Sequence, residues 1–481
     1  MASAIKRILD KEQLKFAFLL LIFYCLIFFS GALWRIDNVV YDAHMKYWSQ
    51  PAPSDVVIVE IDEQSLRTYG RWPWPRSVHA ELVEKLSAIN TKGIVLDLIF
   101  SEHNSHDTQS DAKLIEAIKN NGKVILPVIV EHNRLNGQLI ETLPFPELLN
   151  SAYSIGHVHV ELDQDGIARS TYLQEGLTTP HWDNISLSLY ELVYGQNLDF
   201  IPGSRNPQPV SDNPNVWVRD YHVHIPFIGA PGHLARVSYA DVLSPDFPLS
   251  TLDNKIIFIG ATATGLGDAL PTPVSGERNA MPGVEINATI FHALRTNTLI
   301  EKSGAVLTLL VGVIFVLLPV FIFPRVSPLA ALLSMLAVVI GLTIVTIILL
   351  RMYHLWIPPT ASLAVLLGSF PLWSWRRLDL TVKSLNEELE LLNSESSALK
   401  YRVIHSLNEE FNFLSKVVPV LRINISSRKL NQYFNFGSNE KIADDLPSRT
   451  VSINDWLCHV VYEYGVSVNK TQKNYIFNHN H

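Results

Sequence analysis

Residues 56–100 have the sequence VVIVEIDEQSLRTYGRWPWPRSVHAELVEKLSAINTKGIVLDLIF, in which two β-branched apolar runs enclose one helical pattern. The runs at 55–61 and 93–100 predict strands that are buried on both faces. Residues 76–89 place Val, Leu and Ile at helical spacing, and a third apolar run follows a second helical pattern at 123–130. This βαβαβ order predicts an α/β domain with a mostly parallel sheet covered by helices.

The sequence after these strands is less regular. Apolar runs at 156–160 and 167–173 flank an Asp-Gln-Asp-Gly turn at 163–166, and Asp-Gly between such runs predicts a hairpin. A further buried strand is predicted at 255–260, and a helix at 284–294 leads towards the next strongly apolar segment. The α/β pattern therefore continues to the end of the block.

Four apolar spans surround this block, one before it and three after it. They are predicted as transmembrane helices at 14–34, 305–323, 329–350 and 356–375, with the α/β domain at 35–303 between the first two. Each is close to the roughly 20 residues that a helix needs to cross about 30 Å of hydrocarbon. The sequence therefore predicts an integral membrane protein in contact with the lipid bilayer.

The basic residues beside the spans predict the orientation. These are Lys6, Arg7, Lys11 and Lys15 before the first span, Arg325 between the second and third, and Arg376 and Arg377 after the fourth. Because basic flanks stay in the cytoplasm, residues 1–13 and the carboxyl end are expected inside, and the block is expected outside. The first span could instead be a cleaved signal peptide, although it is long for one.

Composition excludes some classes of function. The net charge of −8 gives no basic patch that would favour binding to nucleic acid. Cys25 and Cys458 both lie outside the α/β block, so that block needs no disulfide, and neither cysteine has neighbours spaced for a metal site. We expect no metal and no cofactor, and a bacterial periplasm fits the outer block.

Acidic residues at the ends of the predicted strands suggest a ligand site. Asp62 follows the first strand, Asp97 lies late in the second, and Asp268 ends the loop GATATGLGD after the last. Because ligands bind outside the carboxyl ends of parallel strands, these residues are expected to converge on a small extracytoplasmic ligand. Gly265 and Gly267 of the same loop could cradle an anion, but the loop lacks nucleotide-binding spacing.

Structural alternatives exist for two of these acids. Asp62 could simply cap a turn or the start of a helix. Asp97 lies between two leucines and must find a partner whether or not a ligand binds, and an arginine would serve.

The segment YGRWPWPRS at 69–77 offers a second group of candidate ligand residues. Arg71, Trp72, Trp74 and Arg76 are of the types enriched in stacking recognition and binding hot spots. The alternative is that both tryptophans cover the sheet while the second proline occupies the first turn of a helix.

Two long motifs resemble a known family. Residues 56–102 resemble the opening signature, and IIFIGATATGLGDALPTPVSGERNAMPGVEINATIFHALRTNTLI at 256–300 resembles the closing signature, of the CHASE family of type two. The resemblance covers roughly residues 35–375, including the three trailing spans. It implies a transmembrane receptor whose extracytoplasmic sensory domain passes a stimulus to a cytoplasmic output. It transfers no ligand and no catalytic residue. We expect this receptor in the bacterial inner membrane.

The carboxyl region predicts a coiled coil. Leu385, Leu389, Leu392 and Leu399 begin a mostly three-and-four spacing within residues 376–420, which favours a parallel homodimer. An amphipathic helix packed on the rest of the tail is the alternative. His405 lies in this helix, but its surroundings do not resemble the phosphoacceptor box of histidine kinases.

The output of the chain is predicted to be non-catalytic. Residues 421–481 form a short tail, of which 446–475 faintly resembles the linker of a truncated histidine kinase, and no P-loop or protein-kinase signature follows. We expect a receptor that signals through a cytoplasmic partner. The alternative is a histidine kinase or adenylate cyclase receptor whose catalytic domain is lost or supplied by another chain. A transporter component is disfavoured because the spans are almost free of ionisable residues.

Overall fold

The computed structural model describes most of the 481 residues. The described residues are 2–105, 107–132, 139–195, 198, 200–213, 215–266, 269–276, 279–417, 423–425 and 449–451. The chain divides into two compact units, Met1–Trp373 and Ser374–His481.

The helices alternate with strands through the first unit. The helices are α1 (Ala2–Ser30), α2 (Trp34–Lys46), α3 (Glu63–Tyr69), α4 (Arg76–Ser87), α5 (Thr108–Asn121), α6 (Pro146–Ser151), α7 (Ile185–Tyr194), α8 (Tyr239–Leu243), α9 (Gly283–Thr296), α10 (Ala305–Ile322), α11 (Pro328–Tyr353) and α12 (Thr360–Val417), with 3₁₀ turns at Leu249–Leu252 and Phe323–Arg325. The strands are β1 (Val56–Ile61), β2 (Gly93–Leu96), β3 (Val124–His132), β4 (Leu139–Thr142), β5 (Ser154–His157), β6 (Glu161–Leu162), β7 (Ala168–Leu177), β8 (Trp182–Asp183), β9 (Trp217–His224), β10 (Ala235–Ser238), β11 (Ile256–Ala261), β12 (Ala269–Leu270), β13 (Met281–Pro282), β14 (Glu301–Lys302), β15 (Leu355–Trp356), β16 (Ile423–Ile425) and β17 (Arg449–Val451).

The main sheet is mostly parallel. Its strand order is β10-β1-β11-β2-β3, and β3 pairs in parallel with β5 at one end and antiparallel with β4 at the other. The late strand β11 lies between β1 and β2 and pairs in parallel with both. The mostly parallel α/β sheet predicted from the βαβαβ order is therefore confirmed.

Both faces of this sheet are covered by helices. Val57 and Val59 of β1 belong to a core that includes side chains of α4, α5 and α8. Their neighbours Val56 and Ile58 belong to a second core, formed with α7 and α9. Burial of such a side chain contributes roughly 1.5–3 kcal/mol, which explains why the strand sequence is apolar at nearly every position.

A second, antiparallel sheet contains β6, β7, β8 and β9, with β7 paired to all three others. The hairpin predicted around the Asp-Gly turn is confirmed, because β6 and β7 flank residues 163–167. Its first arm is shorter than expected, since β5 pairs with β3 in the main sheet. Leu173 and Val223 form a third core with Ile286 and Ile290 of α9. Helix α9 is therefore buried between the two sheets.

Three helices of the described residues are long and apolar enough to cross a membrane. They are Gln13–Ser30, Ala305–Arg325 and Pro328–Tyr353. The first predicted span, 14–34, extends beyond its helix because Gly31 has a positive φ of 62° and α1 ends at Ser30. Phe16 and Tyr24 of α1 form an apolar cluster with Val316 of α10.

The span predicted at 356–375 differs from the structure at its start. Trp356 ends the short strand β15, and α12 begins four residues later at Thr360. Arg376 and Arg377 then leave an apolar stretch of about 24 Å, less than the roughly 30 Å of a bilayer core. A fourth spanning helix remains a prediction.

The second unit contains the rest of α12. Leu385, Leu389, Leu392 and Leu399 are exposed along it. The predicted coiled-coil region at 376–420 is therefore helical as far as Val417, and residues 418–420 lie outside the described residues. Of the predicted tail at 421–481, only the antiparallel pair β16 and β17 is described.

Candidate functional site

A row of three residues crosses the main sheet at the carboxyl ends of its strands. Glu60 of β1 is the register partner of Gly260 in β11. On the other side of Gly260, the Asp97 amide donates to the Ile259 carbonyl oxygen over 2.8 Å and continues the pairing of β2. Since strands are about 4.8 Å apart, the backbone positions of Glu60 and Asp97 lie about 10 Å apart with a glycine between them.

Helix α9 lies directly over this row. A Cβ atom at Gly260 would lie 2.6 Å from the Val284 Cβ, so any larger residue would push the first turn of α9 away from the sheet. Glycine is thus required here by the close approach of a helix. Gly265, by contrast, has a positive φ of 84° and open space around it.

Charged residues connect the row to α9 and to the sheet edge. Arg236 of β10 lies 3.2 Å from the Glu60 Oε2 and also pairs with Glu285 of α9. Glu285 is buried and accepts from the Gly232 amide at 3.0 and 3.1 Å. The Thr262 hydroxyl donates to the Glu60 Oε2 over 3.1 Å. A single guanidinium therefore joins β1, β10 and α9.

An amide completes the contact between α9 and the sheet. Asn287 is 1% exposed, and its Nδ2 donates to the Asp97 Oδ2 over 3.2 Å. Its Oδ1 has no hydrogen-bond partner among the described residues, and neither has the Nε of Arg236. Buried polar atoms are usually hydrogen-bonded, so these two mark the row as more than a packing surface.

Asp62 is a helix cap. Its Oδ1 accepts from the Ser65 amide at 2.8 Å, from the Ser65 hydroxyl at 2.6 Å and from the Ser238 hydroxyl at 3.0 Å. Burial alone would raise the pKa of Asp62, but these hydrogen bonds bring the pKa below its usual value. The capping alternative is confirmed, and the structure gives Asp62 this role at the start of α3.

The tryptophan segment packs against the core of the main sheet. Trp74 is 4% exposed, and its Nε1 donates to the Gly70 carbonyl over 3.0 Å. Its ring centroid lies 5.2 Å from those of Trp72 and Tyr239. Trp72 is partly buried against the same core, and Arg71 is exposed. The alternative that the tryptophans cover the sheet is confirmed.

Arg76 of α4 is joined to α5. Its guanidinium pairs with Asp111 of α5 and donates to the Glu102 carbonyl, and it lies 5.1 Å from the Phe145 ring centroid. Burial alone would raise the pKa of Asp111, and Arg76 together with the Asn104 amide lowers it below the usual value.

The predicted ligand residues are therefore only partly brought together. Asp97 lies in the row, where its Oδ2 accepts a hydrogen bond from Asn287, and the expected arginine partner stays a prediction. Gly267 and Asp268 lie outside the described residues, so the predicted convergence with Asp268 stays a prediction. Sequence reasoning missed Glu60, although one acid inside the apolar run VVIVEI was a visible signal.

Comparison with known proteins identifies the family. A family model described as the CHASE2 domain matches residues 17–322, more than half of the chain. The chain belongs to the CHASE2 domain family. The resemblance recognised in the sequence is confirmed, and CHASE2 domains are extracellular sensors in receptor signalling. No curated protein and no solved structure matches the chain.

The membrane side of the CHASE2 domain has its own set of contacts. Residues Glu301 and Lys302, just before α10, pair in parallel with Leu355 and Trp356, which follow α11. Helix α2 completes this junction, since the Thr360 amide at the start of α12 donates to the Asp37 Oδ1 over 3.0 Å. The segments that lead into and out of the apolar helices are therefore joined by hydrogen bonds.

Helix α2 also connects this junction to the second sheet of the CHASE2 domain. Tyr41 is fully buried, with its ring 5.3 Å from that of Trp356 and 5.4 Å from that of His224. Arg169 of β7 is almost fully buried and holds Asp42 of α2 through two hydrogen bonds of 2.7 Å. The same guanidinium binds Asp163 and Asp165 of the hairpin turn at 2.6–2.9 Å.

Two further kinds of chemistry would need a metal site or a phosphoacceptor. Within the part of the chain that the structure describes, no three His, Cys, Asp or Glu side chains come together so as to hold a metal ion. His405 is exposed on α12, with its Nδ1 3.9 Å from the Glu409 carboxylate.

Proposed function

We propose that this chain is a transmembrane signal-transduction receptor whose CHASE2 domain responds to a small extracytoplasmic ligand at the Glu60–Asp97 row. The response would pass through the membrane helices to a cytoplasmic coiled coil. The observation that carries the proposal is the position of α9, which touches the row at its first turn and leads towards the membrane helices at its last.

Helix α9 is suited to transmit a displacement. Its 14 residues make a rod of about 21 Å, and its side chains from Val284 to Leu294 are buried between two sheets. Residues 297–304 separate its end from α10. A close-packed helix does not deform gradually, so a shift at its first turn would be carried to its last turn.

The row offers contacts that a ligand could exchange. Arg236 is shared between Glu60 and Glu285. A ligand that binds Arg236 would compete with Glu285 of α9, and a ligand that binds Glu60 would release Arg236 from β1. A ligand shifts an equilibrium only through contacts that differ between two states. The pairing of Arg236 with Glu285 would be that difference.

The membrane junction would convert movement of α9 into movement of the helices. Because β14 pairs with β15, displacement of the segment before α10 would also move the segment after α11. Asp37 then links α2 with the first residue of α12. The proposed topology places the CHASE2 domain in the periplasm and both termini in the cytoplasm, with α12 contributing a fourth span.

The output would be a homodimeric coiled coil. Leu385, Leu389, Leu392 and Leu399 are exposed at steps of four, three and seven, as the core positions of a two-stranded coiled coil are in an isolated chain. A change of register or rotation in this dimer would be recognised by a cytoplasmic signalling partner. In this proposal the residues after α12 supply no catalysis.

Disulfide crosslinking in native membranes tests both the dimer and the relay. In a full-length background carrying Cys25→Ser and Cys458→Ser, single cysteines at Leu385, Leu392 and Leu399 should crosslink. Cysteines at Glu387 and Ser394, on the opposite face of the helix, are matched controls that should not. Equal crosslinking at all five positions, or none at any, would refute the dimer.

The relay is tested in the same membranes by adding Arg236→Met, which frees Glu285 from the row. We expect the crosslinking yield at Leu392 to change while Arg67→Met, at an exposed arginine of the same domain, leaves it unchanged. An unchanged yield with Arg236→Met in a folded protein would refute transmission from the row.

A histidine kinase receptor is the second candidate, favoured by the exposure of His405 beside Glu409. Incorporation of labelled phosphate from ATP by the purified full chain, lost in His405→Gln, would establish it. Absence of labelling would leave the non-catalytic receptor as the better proposal.

A further inference from the structure

The second sheet contains a buried carboxylate surrounded by nitrogen atoms. Glu175 of β7 has a fully buried side chain, and each of its oxygens lies 3.2 Å from the His159 Nδ1. The Trp217 Nε1 donates to the Glu175 Oε2 over 3.0 Å, and the His157 Nδ1 lies 4.0 Å from the same oxygen. Two titratable bases and one acid therefore share a small volume.

The two histidines differ in their access to water. His157 is fully buried, and neither ring nitrogen has a hydrogen-bond partner among the described residues. The side chain of His159 is 49% exposed, so it can exchange protons with solvent while it holds Glu175. His159 is therefore the group through which external pH would reach the buried carboxylate.

The surroundings set the direction of each pKa. The charged or titratable neighbours of this trio are Glu161 of β6, Tyr172 of β7, Asp183 of β8 and Arg219 of β9. The hydrogen bond to Glu175 raises the pKa of His159 despite partial burial, and burial lowers that of His157. Burial alone would raise the pKa of Glu175, but the two histidines and Trp217 lower it.

The strand that contacts Glu175 also contacts the segment before the membrane. Trp217 begins β9, and His224 ends it. The His224 amide donates to the Ile300 carbonyl over 2.8 Å, and the Ile300 amide donates back over 3.1 Å. Ile300 directly precedes β14. A single strand therefore connects the buried carboxylate with the residues that lead into α10.

We propose that the His159–Glu175 pair makes the CHASE2 domain responsive to pH, through release of β9 when His159 loses its proton. Above the pH at which His159 loses its proton, the buried Glu175 carboxylate faces a neutral imidazole and has lost its charged partner. The pairing of β9 with β7, and hence the hold on Ile300, weakens. This response names a stimulus for the proposed receptor, and its transmission to the coiled coil rests on that proposed function.

The sign of the effect follows from linkage. The pKa of His159 is raised in the folded protein, so its contribution to stability is complete below the unfolded value of about 6.5. That contribution is lost as the pH rises through the folded pKa. The response is therefore to alkalinisation from about neutral pH, and each unit of raised pKa corresponds to about a tenfold change in the local opening equilibrium.

Hydrogen exchange of the full chain in lipid nanodiscs tests the proposal. Between about pH 6 and about pH 9, exchange of Trp217–His224, corrected for its intrinsic pH dependence, should rise, by about tenfold for each unit by which folding raises the His159 pKa. His159→Gln keeps a hydrogen-bond donor but cannot titrate, so its corrected exchange should not vary with pH. His181→Gln is the matched control, since His181 is about half exposed and its Nε2 also lies close to a carboxylate, 3.3 Å from the Glu141 Oε1, and it should behave as the parent.

The outcomes separate this proposal from the receptor function. A parent protein without a pH transition in β9, or the same transition in His159→Gln, would overturn the pH response. If His159→Gln fails to fold, Glu175→Gln decides, because without the carboxylate the transition should disappear. A transition in β9 that leaves coiled-coil crosslinking unchanged would support the pH response and contradict the relay.

Discussion

The two sheets of the sensory domain bury different kinds of residue. Central strands of the parallel sheet, such as β2 and β11, are buried and aliphatic or aromatic, with charge confined to the row at their carboxyl ends. The antiparallel sheet buries Arg169, Glu175 and Asp220 inside its strands. The first arrangement stabilises the fold under most conditions. The second arrangement buries charged groups, so pH and local contacts can change the free energy of the antiparallel sheet.

Truncation of a core side chain in the parallel sheet should have the largest effect on the free energy of unfolding. Phe258 of β11 is fully buried against Phe291 of α9. Phe258→Ala is expected to lower the free energy of unfolding by about 4 kcal/mol, from lost burial and a cavity. Thermal unfolding of the full chain in nanodiscs measures it. Phe258→Leu is the control and should cost less than about 1.5 kcal/mol; equal losses for the two variants would contradict the importance of volume here.

Removal of the buried charge in the other sheet should have a somewhat smaller effect. Arg169→Met leaves three aspartates, Asp42, Asp163 and Asp165, close together without a cation. We expect a loss of about 3 kcal/mol, since breaking a buried ion pair from one side leaves uncompensated charge.

Hydrogen exchange should show that this loss of stability is located around α2. Combining Arg169→Met with Asp42→Asn should recover part of the stability. If the double variant were no more stable than the single one, the charge argument would fail, and the role of Arg169 would be packing alone.

The smallest effect is expected at the cap beside the parallel sheet. Asp62→Ala removes the acceptor for the first turn of α3 and should cost about 1 kcal/mol. Because the folded pKa of Asp62 is lowered, its contribution is present above the unfolded value of about 3.9 and is lost as the pH falls through the folded pKa. Thermal midpoints of parent and variant should therefore converge in acid, while a constant gap would rule out the carboxylate as the cause.

Much of the parallel sheet could be predicted because its signals are local. A β-branched run such as 93–100 indicates a buried strand without knowledge of its neighbours. The insertion of β11 between β1 and β2 could not be predicted, because each of these apolar strands could pair with any other. The pairing of β5 with the main sheet was missed for the same reason.

The candidate site was predicted less well than the fold. The strand-end pattern predicted Asp97, which lies in the row, but the carboxylate across Gly260 from it is Glu60, which that pattern did not include. Asp62 matched the same pattern and is a cap. A sequence pattern cannot distinguish an acid that caps a helix from one that faces a neighbouring strand, because both follow a buried run.

By itself, the sequence determined the α/β character of the domain, three of its apolar helices and its family, since these depend on periodicity, span length and long local motifs. The tertiary structure decided which distant charges meet. Arg236 pairs with both Glu60 and Glu285, and Arg169 pairs with Asp42, only because strand order and the packing of α2 and α9 on the sheets bring them together. Burial strengthens such pairs by removing water, and burial of polar groups is a property of the packed fold rather than of any segment.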